Sequence, residues 1–199
     1  MLIHLVDDDM TILDSASFLL EQTGHKVKTW SSSQQFVEQV ALYEQGIVLL
    51  DMKMPQLDGK QVHQYLRQQH STLAVIIMTA HADVPMAVQE LKQGAVDFLQ
   101  KPVKFSQLQA ALNAASEITQ TNYERYQIEQ CYIQLSAKEL DILTLLLKGY
   151  INRQIAEQLN ISVRTVEVHR ANLMQKMQAQ TITELIYKTT LLHSNRTRA

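Results

Sequence analysis

The chain has 199 residues, of which 46% are hydrophobic and 19% charged; that is enough apolar material for packed cores and argues against a disordered chain. No apolar run reaches the about 18 residues of a membrane span, and the N-terminus lacks the basic and long apolar regions of a signal peptide. The single cysteine, Cys131, excludes an intrachain disulfide and a cysteine-rich zinc site, so a cytoplasmic protein with no direct membrane contact is expected. Residues 1–121 hold 13 acidic and 8 basic side chains, whereas residues 122–199 hold 7 and 10. An acidic front and a basic back point to two domains with different partners.

The front alternates strand-like and helix-like segments. Leu2–Val6 is a short apolar run that stops at three aspartates. Ile12, Leu13, Ala16, Leu19 and Leu20 share one face of a helix over 10–23, with Gly24 as its C′ residue. A strand over 27–30 follows, then a helix from Ser32 to about Glu44 with Ser32 and Gln35 as a capping box. Ile47-Val48-Leu49-Leu50, ending at Asp51, reads as a strand buried on both faces. Helix 59–69, strand 74–78, helix 84–93, strand 95–99 and helix 105–118 complete five β-then-α units. Parallel strands need crossovers, so this order predicts a doubly wound α/β domain over 1–118.

Residues 119–134 contain neither proline nor glycine and read as a linker, helical and continuous with the helix before it. The remainder, 135–199, carries helix signals only, with a polar tail over 194–199. Ser136 and Glu139 form a capping box; Leu140, Leu143, Leu146 and Leu147 line one face, and Gly149 ends the helix. Ile151, Ile155, Ala156 and Leu159 face inward on a short helix, Asn160-Ile161 turns the chain, and Ser162 caps a helix over 163–177. This spacing fits a helix-turn-helix as well as any other helical hairpin.

In an open parallel sheet the reactive site lies outside the carboxyl ends of the strands. That rule gathers Asp7 and Asp8 after the first strand, Asp51 after the third, Thr79 after the fourth and Lys101 after the fifth. Adjacent carboxylates repel one another, and a hard cation such as Mg²⁺ relieves that cost with oxygen ligands. One carboxylate can then attack phosphorus and form an aspartyl phosphate, with Lys101 and Thr79 steadying the phosphoryl oxygens. Singly, each aspartate reads as an ordinary strand-end acid; five such groups in this order do not. Asp9 reads as a helix N-cap or first-turn acid.

Val6-Asp7-Asp8-Asp9, Leu49-Leu50-Asp51-Met52-Lys53-Met54-Pro55 with Asp58-Gly59, Met78-Thr79-Ala80 and Asp97-Phe98-Leu99-Gln100-Lys101-Pro102 resemble the receiver domain of two-component response regulators. The resemblance implies that Asp51 accepts a phosphoryl group from a sensor histidine kinase, and that Asp7, Asp8, Asp51 and the Lys53 main-chain carbonyl surround Mg²⁺. It implies that Thr79 and Lys101 ligate the phosphoryl oxygens, and that the Lys101-Pro102 bond is cis. Phe98 takes the aromatic switch position coupled to Thr79, or is a plain core residue. Lys53 and His81 flank the pocket, where side chains tune dephosphorylation. Phosphatases of the haloacid dehalogenase type need a second acid where Lys53 stands. No enzyme activity is therefore expected beyond self-phosphorylation and dephosphorylation at Asp51.

Leu135-Ser136-Ala137-Lys138-Glu139, Asn152-Arg153-Gln154-Ile155-Ala156, Arg164-Thr165-Val166-Glu167-Val168-His169-Arg170 and Lys176-Met177 resemble the LuxR-type helix-turn-helix domain. The two together look like the NarL/FixJ class of transcriptional regulators. By that resemblance Thr165, Glu167, Val168, Arg170, Ala171 and Asn172 face the groove of promoter DNA. Arg153, Arg164 and Lys176 are phosphate-contact candidates or part of a solvated face. Glu167 can accept from cytosine N4, and Val168 or Ala171 can touch a thymine methyl. His169 caps or braces the recognition helix. The helix over 182–192 offers Ile182, Leu185, Ile186, Thr189 and Leu192 either to a dimer partner or to its own domain.

Ser71-Thr72-Leu73-Ala74-Val75, Asp83-Val84-Pro85-Met86-Ala87-Val88 through Val103, and Arg164 through Ala171 look similar to regulators of tetrathionate respiration. Such a protein pairs with a membrane sensor kinase and controls tetrathionate reductase genes. The expected function is thus a transcription regulator that dimerises on phosphorylation, through helix 84–93 and strand 95–99, and engages RNA polymerase. The alternatives are a phosphate sink with vestigial DNA binding, or a FixJ-type regulator of an unrelated operon.

Overall fold

The computed structural model describes residues 1–80 and 84–193, which divide into two compact units, Met1–Tyr123 and Glu124–Ala199. Among the described residues no helix is long and apolar enough to cross a membrane.

In the first unit, β1 (Leu2–Val6), β2 (Lys26–Trp30), β3 (Gly46–Asp51), β4 (Ala74–Thr79) and β5 (Asp97–Gln100) form one sheet of order β2-β1-β3-β4-β5. Every pairing is parallel. The crossovers are α1 (Met10–Gln22), α2 (Ser33–Gln39), α3 (Gly59–Gln68) and α4 (Val84–Lys92), and α5 (Phe105–Tyr132) follows β5. Alternate strand residues serve opposite faces. Ile3, Leu5, Ile47, Leu49, Ile76 and Met78 pack with Leu13 and Leu20 of α1 and Leu108, Ala111 and Leu112 of α5. Val6, Val48, Leu50, Val75 and Ile77 pack with Phe36 of α2 and Val62 and Leu66 of α3. Both faces are covered, which is why these strands read as unbroken apolar runs.

A polar residue of β1 points into that second face. His4 is buried; its Nδ1 accepts from Trp30 Nε1 at 3.2 Å, and its Nε2 lies 3.1 Å from Glu44 Oε1. Burial holds this imidazole below its ordinary value, against the pull of Glu44.

Several boundaries differ from the sequence expectation. Helix α2 stops at Gln39 rather than near Glu44, because Val40 turns extended and the α3–β4 loop claims the next carbonyls. Leu42 O accepts from Thr72 N at 2.9 Å and from Ser71 Oγ at 2.8 Å, and Glu44 O accepts from Thr72 Oγ1 at 2.6 Å. Strand β5 begins at Asp97, since Ala95 N still donates to Glu90 O at 3.0 Å in the turn after α4. Leu19 is exposed, and Leu13 and Leu20 carry the buried side of α1.

Residues 119–132 are helix within α5. Thr119 is fully buried; its Oγ1 accepts from Gly46 N and donates to Thr72 O, both at 3.0 Å.

The second unit builds α6 (Ala137–Leu147), α7 (Asn152–Leu159), α8 (Val163–Lys176) and α9 (Ile182–His193) around Ile142, Leu143, Ile155, Val166, Leu173, Met177 and Leu185. Ser136 accepts from Glu139 N at 3.3 Å, and Glu139 Oε2 accepts from Ser136 N at 2.8 Å, closing the expected box. Ile142, not Leu147, joins Leu143 and Leu146 in the core, because Glu139, Ile142, Leu143 and Leu146 keep the i, i+3, i+4, i+7 spacing of one face. Ile151 is 63% exposed rather than inward, because it is the N-cap of α7 and lies outside the helical spiral. Leu185 and Thr189 are buried in their own unit, while Ile186 and Tyr187 face out.

Candidate functional site

Parallel strands that end level with one another bring their following residues together. Asp7 caps the end of β1, Asp51 closes β3, Thr79 closes β4 and Lys101 follows β5. The carboxylates of Asp7, Asp8 and Asp51 offer oxygens within 4.8 Å of one another. Lys101 Nζ donates to Asp7 Oδ2 and to Asp51 Oδ1, each at 2.5 Å. Asp7, Asp51 and Thr79 are buried and Asp8 is exposed, so the cluster opens to solvent on the Asp8 side. A cleft of about 910 Å³ lies there, with Asp8, Lys53, Thr79, Met52, Met54 and Met86 among its lining.

Backbone groups orient the acids. Asp9 N donates to Asp7 Oδ1 at 3.1 Å, and Lys53 N donates to Asp51 Oδ2 at 2.7 Å. Asp9 itself caps α1 through Thr11 N at 2.8 Å. Asp58 caps α3 in a box with Gln61, and Gly59 then packs against Met52, with its N–H on Met52 O at 3.1 Å. The Lys101-Pro102 bond is cis, and Lys101 N donates to Thr79 O at 2.7 Å. Phe98 is half-buried and packs beside the Val75 and Ile77 face of the sheet. His81 lies outside the described residues.

Burial pushes the Asp7 carboxyl up; Lys101 and the Asp9 N–H oppose this, and the neighbouring Asp51 adds to it. For Lys101, burial acts downward, but the hydrogen bonds and charges of Asp51 and Asp7 outweigh it and raise the ammonium above its ordinary value. An all-carboxylate donor set suits a hard, oxygen-seeking divalent cation.

The second unit presents a different surface. On α8, Arg164, Glu167, Val168, Ala171, Asn172 and Gln175 are exposed on one face at i, i+3, i+4 spacing. Thr165 is half-buried and joins the cap, its N–H on Ser162 Oγ at 3.1 Å and its hydroxyl 2.8 Å from the same oxygen. Arg170 Nη1 donates to Asn152 Oδ1 at 2.8 Å, tying α8 to the start of α7. Lys176 Nζ donates to the buried Glu139 Oε2 at 2.7 Å and to Gln134 O at 3.2 Å. Arg153 stands exposed, 3.4 Å from Glu157, and His169 is half-buried.

Three features escaped the sequence reading. Gln175 shares the spacing of Val168 and Asn172 and was recoverable from it. The close approach of Gly59 to the Asp51 backbone had only the Asp58-Gly59 pair as a signal. A buried contact between His63 and Glu90, at 2.7 Å, had none, since the two are 27 residues apart.

A family model for the response regulator receiver domain matches residues 3–113, and one for bacterial regulatory proteins of the luxR family matches residues 133–189. The chain is 52% identical to the tetrathionate response regulatory protein TtrR of Salmonella typhimurium, over 98% of this chain and 95% of that one. It is 37% identical to the transcriptional regulatory protein FixJ of Bradyrhizobium diazoefficiens, over 92% of each. Among solved structures, the response regulator StyR aligns with a TM-score of 0.67 at 34% identity, covering 95% of this chain and 98% of that one. Full-length FixJ from B. japonicum aligns with a TM-score of 0.54 at 36% identity, over 97% of both. An aspartate–lysine cluster at the strand ends, an exposed helix face in a second unit and these full-length likenesses agree: the chain belongs to the FixJ-like response regulators, in which a receiver domain precedes a LuxR-type DNA-binding domain.

Proposed function

We propose that this protein is switched by phosphorylation of Asp51 and, once switched, dimerises and binds promoter DNA. The observation that carries the reading is the Lys101 ammonium held 2.5 Å from both Asp7 and Asp51, beside an Asp8 open to solvent. The Asp51 carboxylate attacks the phosphorus of a phosphohistidine on a sensor kinase; the new O–P bond forms as the donor's N–P bond breaks. Lys101, already fixed beside Asp51, turns an ammonium N–H toward a phosphoryl oxygen, and the Thr79 hydroxyl meets another. Asp7, Asp8, Asp51 and the Lys53 carbonyl would hold Mg²⁺, which supplies charge neutralisation for the carboxylates and the phosphoryl oxygens. Phe98 follows the movement of Thr79, and the α4–β5 face becomes competent to pair with a second copy.

On DNA, Glu167, Val168, Ala171 and Asn172 face base edges in the major groove, and Arg153 and Arg164 contact phosphates. Thr165, Arg170 and Lys176 hold the recognition helix in place through their contacts to Ser162, Asn152 and Glu139. Identity of 52% with TtrR across nearly the whole chain supports control of tetrathionate reductase genes, with RNA polymerase recruited at that promoter.

Intact mass after incubation with acetyl phosphate and Mg²⁺ tests the switch. One phosphoryl adduct is expected, absent in Asp51→Asn and without Mg²⁺; an Asp51→Asn protein that still activates its promoter fully would sink the reading. A footprint of the phosphorylated chain upstream of tetrathionate reductase genes tests the target.

A further inference from the structure

Helix α4 is fastened in an unusual way. Of its described side chains only Glu90 is buried; Val88 and Leu91 are 45% and 42% exposed, and Met86 and Ala87 are half-covered. The buried residue is an acid. Glu90 is 1% exposed, and so is His63 on α3, whose Nδ1 lies 2.7 Å from Glu90 Oε2. Glu90 Oε1 has no partner among the described residues, so His63 is what holds the carboxyl. One turn further along α3, and in the turn that follows α4, Arg67 Nη1 donates at the surface to Gln93 Oε1 at 3.2 Å. The spacings 63/67 and 90/93 put each pair of residues on one helix face. The two helices are thus joined by a short ladder of polar bonds.

A buried polar pair is a poor stabiliser, since desolvation offsets most of its attraction, and apolar residues of similar volume hold as well or better. It gains in directionality: a bond of 2.7 Å fixes one arrangement and is lost after a small slide, whereas apolar contact tolerates the slide. Both ends of the link lead back to the phosphoryl pocket. Helix α3 starts at Gly59, pressed against the Asp51 carbonyl. Glu90 O also accepts from Ala95 N at 3.0 Å, in the turn that leads into β5 with Phe98 and then Lys101.

We propose that the His63–Glu90 pair is a latch that holds α4 in its unphosphorylated position, so that releasing it favours the arrangement adopted when Asp51 is phosphorylated. The inference rests on the phosphorylation reading above.

The test uses the full chain as wild type and with His63→Leu and Glu90→Leu together. Amide hydrogen exchange and self-association are measured without a phosphoryl donor, and adduct formation with acetyl phosphate and Mg²⁺ is measured in parallel. The double variant leaves no buried polar group unpaired and is expected to fold with wild-type stability. Its α4 amides should exchange about tenfold faster while β1, β3 and β4 stay protected, and its self-association should strengthen by about tenfold, the range of coupling seen between contacting residues. Wild-type protection of α4 in the double variant, or unchanged self-association, overturns the latch. Absence of an adduct on wild-type Asp51 instead overturns the phosphorylation reading, and the exchange data separate the two failures.

Discussion

Gly59 sits where a Cβ atom would fall 2.4 Å from the Asp51 carbonyl oxygen and 2.8 Å from Met52 Cα. Backbone cannot retreat as a side chain does, so Gly59→Ala must displace either α3 or the end of β3 that carries Asp51. A loss of about 1–3 kcal/mol in urea unfolding is expected, together with slower adduct formation at Asp51. The acids around this glycine were legible in the sequence, because the carboxyl ends of parallel strands converge whatever the loops do. The bonds that orient them were not. Lys53 N–H on Asp51 and Asp9 N–H on Asp7 depend on loop dihedrals that residue type does not dictate. Lys176 makes the same point for the second unit. A lysine near the end of α8 reads as a phosphate-contact candidate, and residue type gives no sign of its bond to buried Glu139, 37 residues away.

At the scale of elements, that pair clamps the end of α8 to the start of α6. Burial opposes ionisation of Glu139, but the Lys176 hydrogen bond and the Ser136 N–H and hydroxyl outweigh it and hold the carboxyl below its ordinary value. A depressed carboxylate stabilises the fold above its unfolded value of about 4.3, and the stabilisation disappears as pH falls through the folded value. Glu139→Gln should therefore melt below wild type at pH 7, with the gap closing below about pH 4. Lys176→Met should cost about 1–3 kcal/mol in the unfolding of the second unit at neutral pH, as a buried acceptor loses its charged donor. Element order and the strand runs were readable from hydrophobic period alone. The exceptions have local causes: Val40 turns extended and ends α2 early, and Ala95 still bonds back to Glu90 and delays β5. A period-based reading sees which face is apolar, not which carbonyl has already been claimed.

Across the whole molecule, charge is divided between work inside the fold and work at its surface. Residues 122–199 carry a small positive balance; Lys176 sets its charge against Glu139, and Arg170 is tied to the neutral amide of Asn152. Under the proposed function, exposed Arg153 and Arg164 meet DNA phosphates, and each then contributes about 0.9 to the slope of log affinity against log salt. Replacing either with alanine should flatten the slope of promoter binding by about that amount per bound chain and leave thermal stability unchanged. Lys176→Met should lower stability without changing the slope; titrations at several salt concentrations, read beside thermal melts, separate these outcomes.

The receiver family match ends at residue 113, yet Thr119 is buried inside the first unit, with its hydroxyl between Gly46 N and Thr72 O. Gly46 opens the strand that Asp51 closes, so a cut made at the end of the family match removes a fastening from the far end of the strand that carries Asp51. Anyone splicing this receiver onto a foreign output module should place the joint beyond Tyr123, and a sensor assembled with an earlier joint would report on a weakened sheet rather than on its signal.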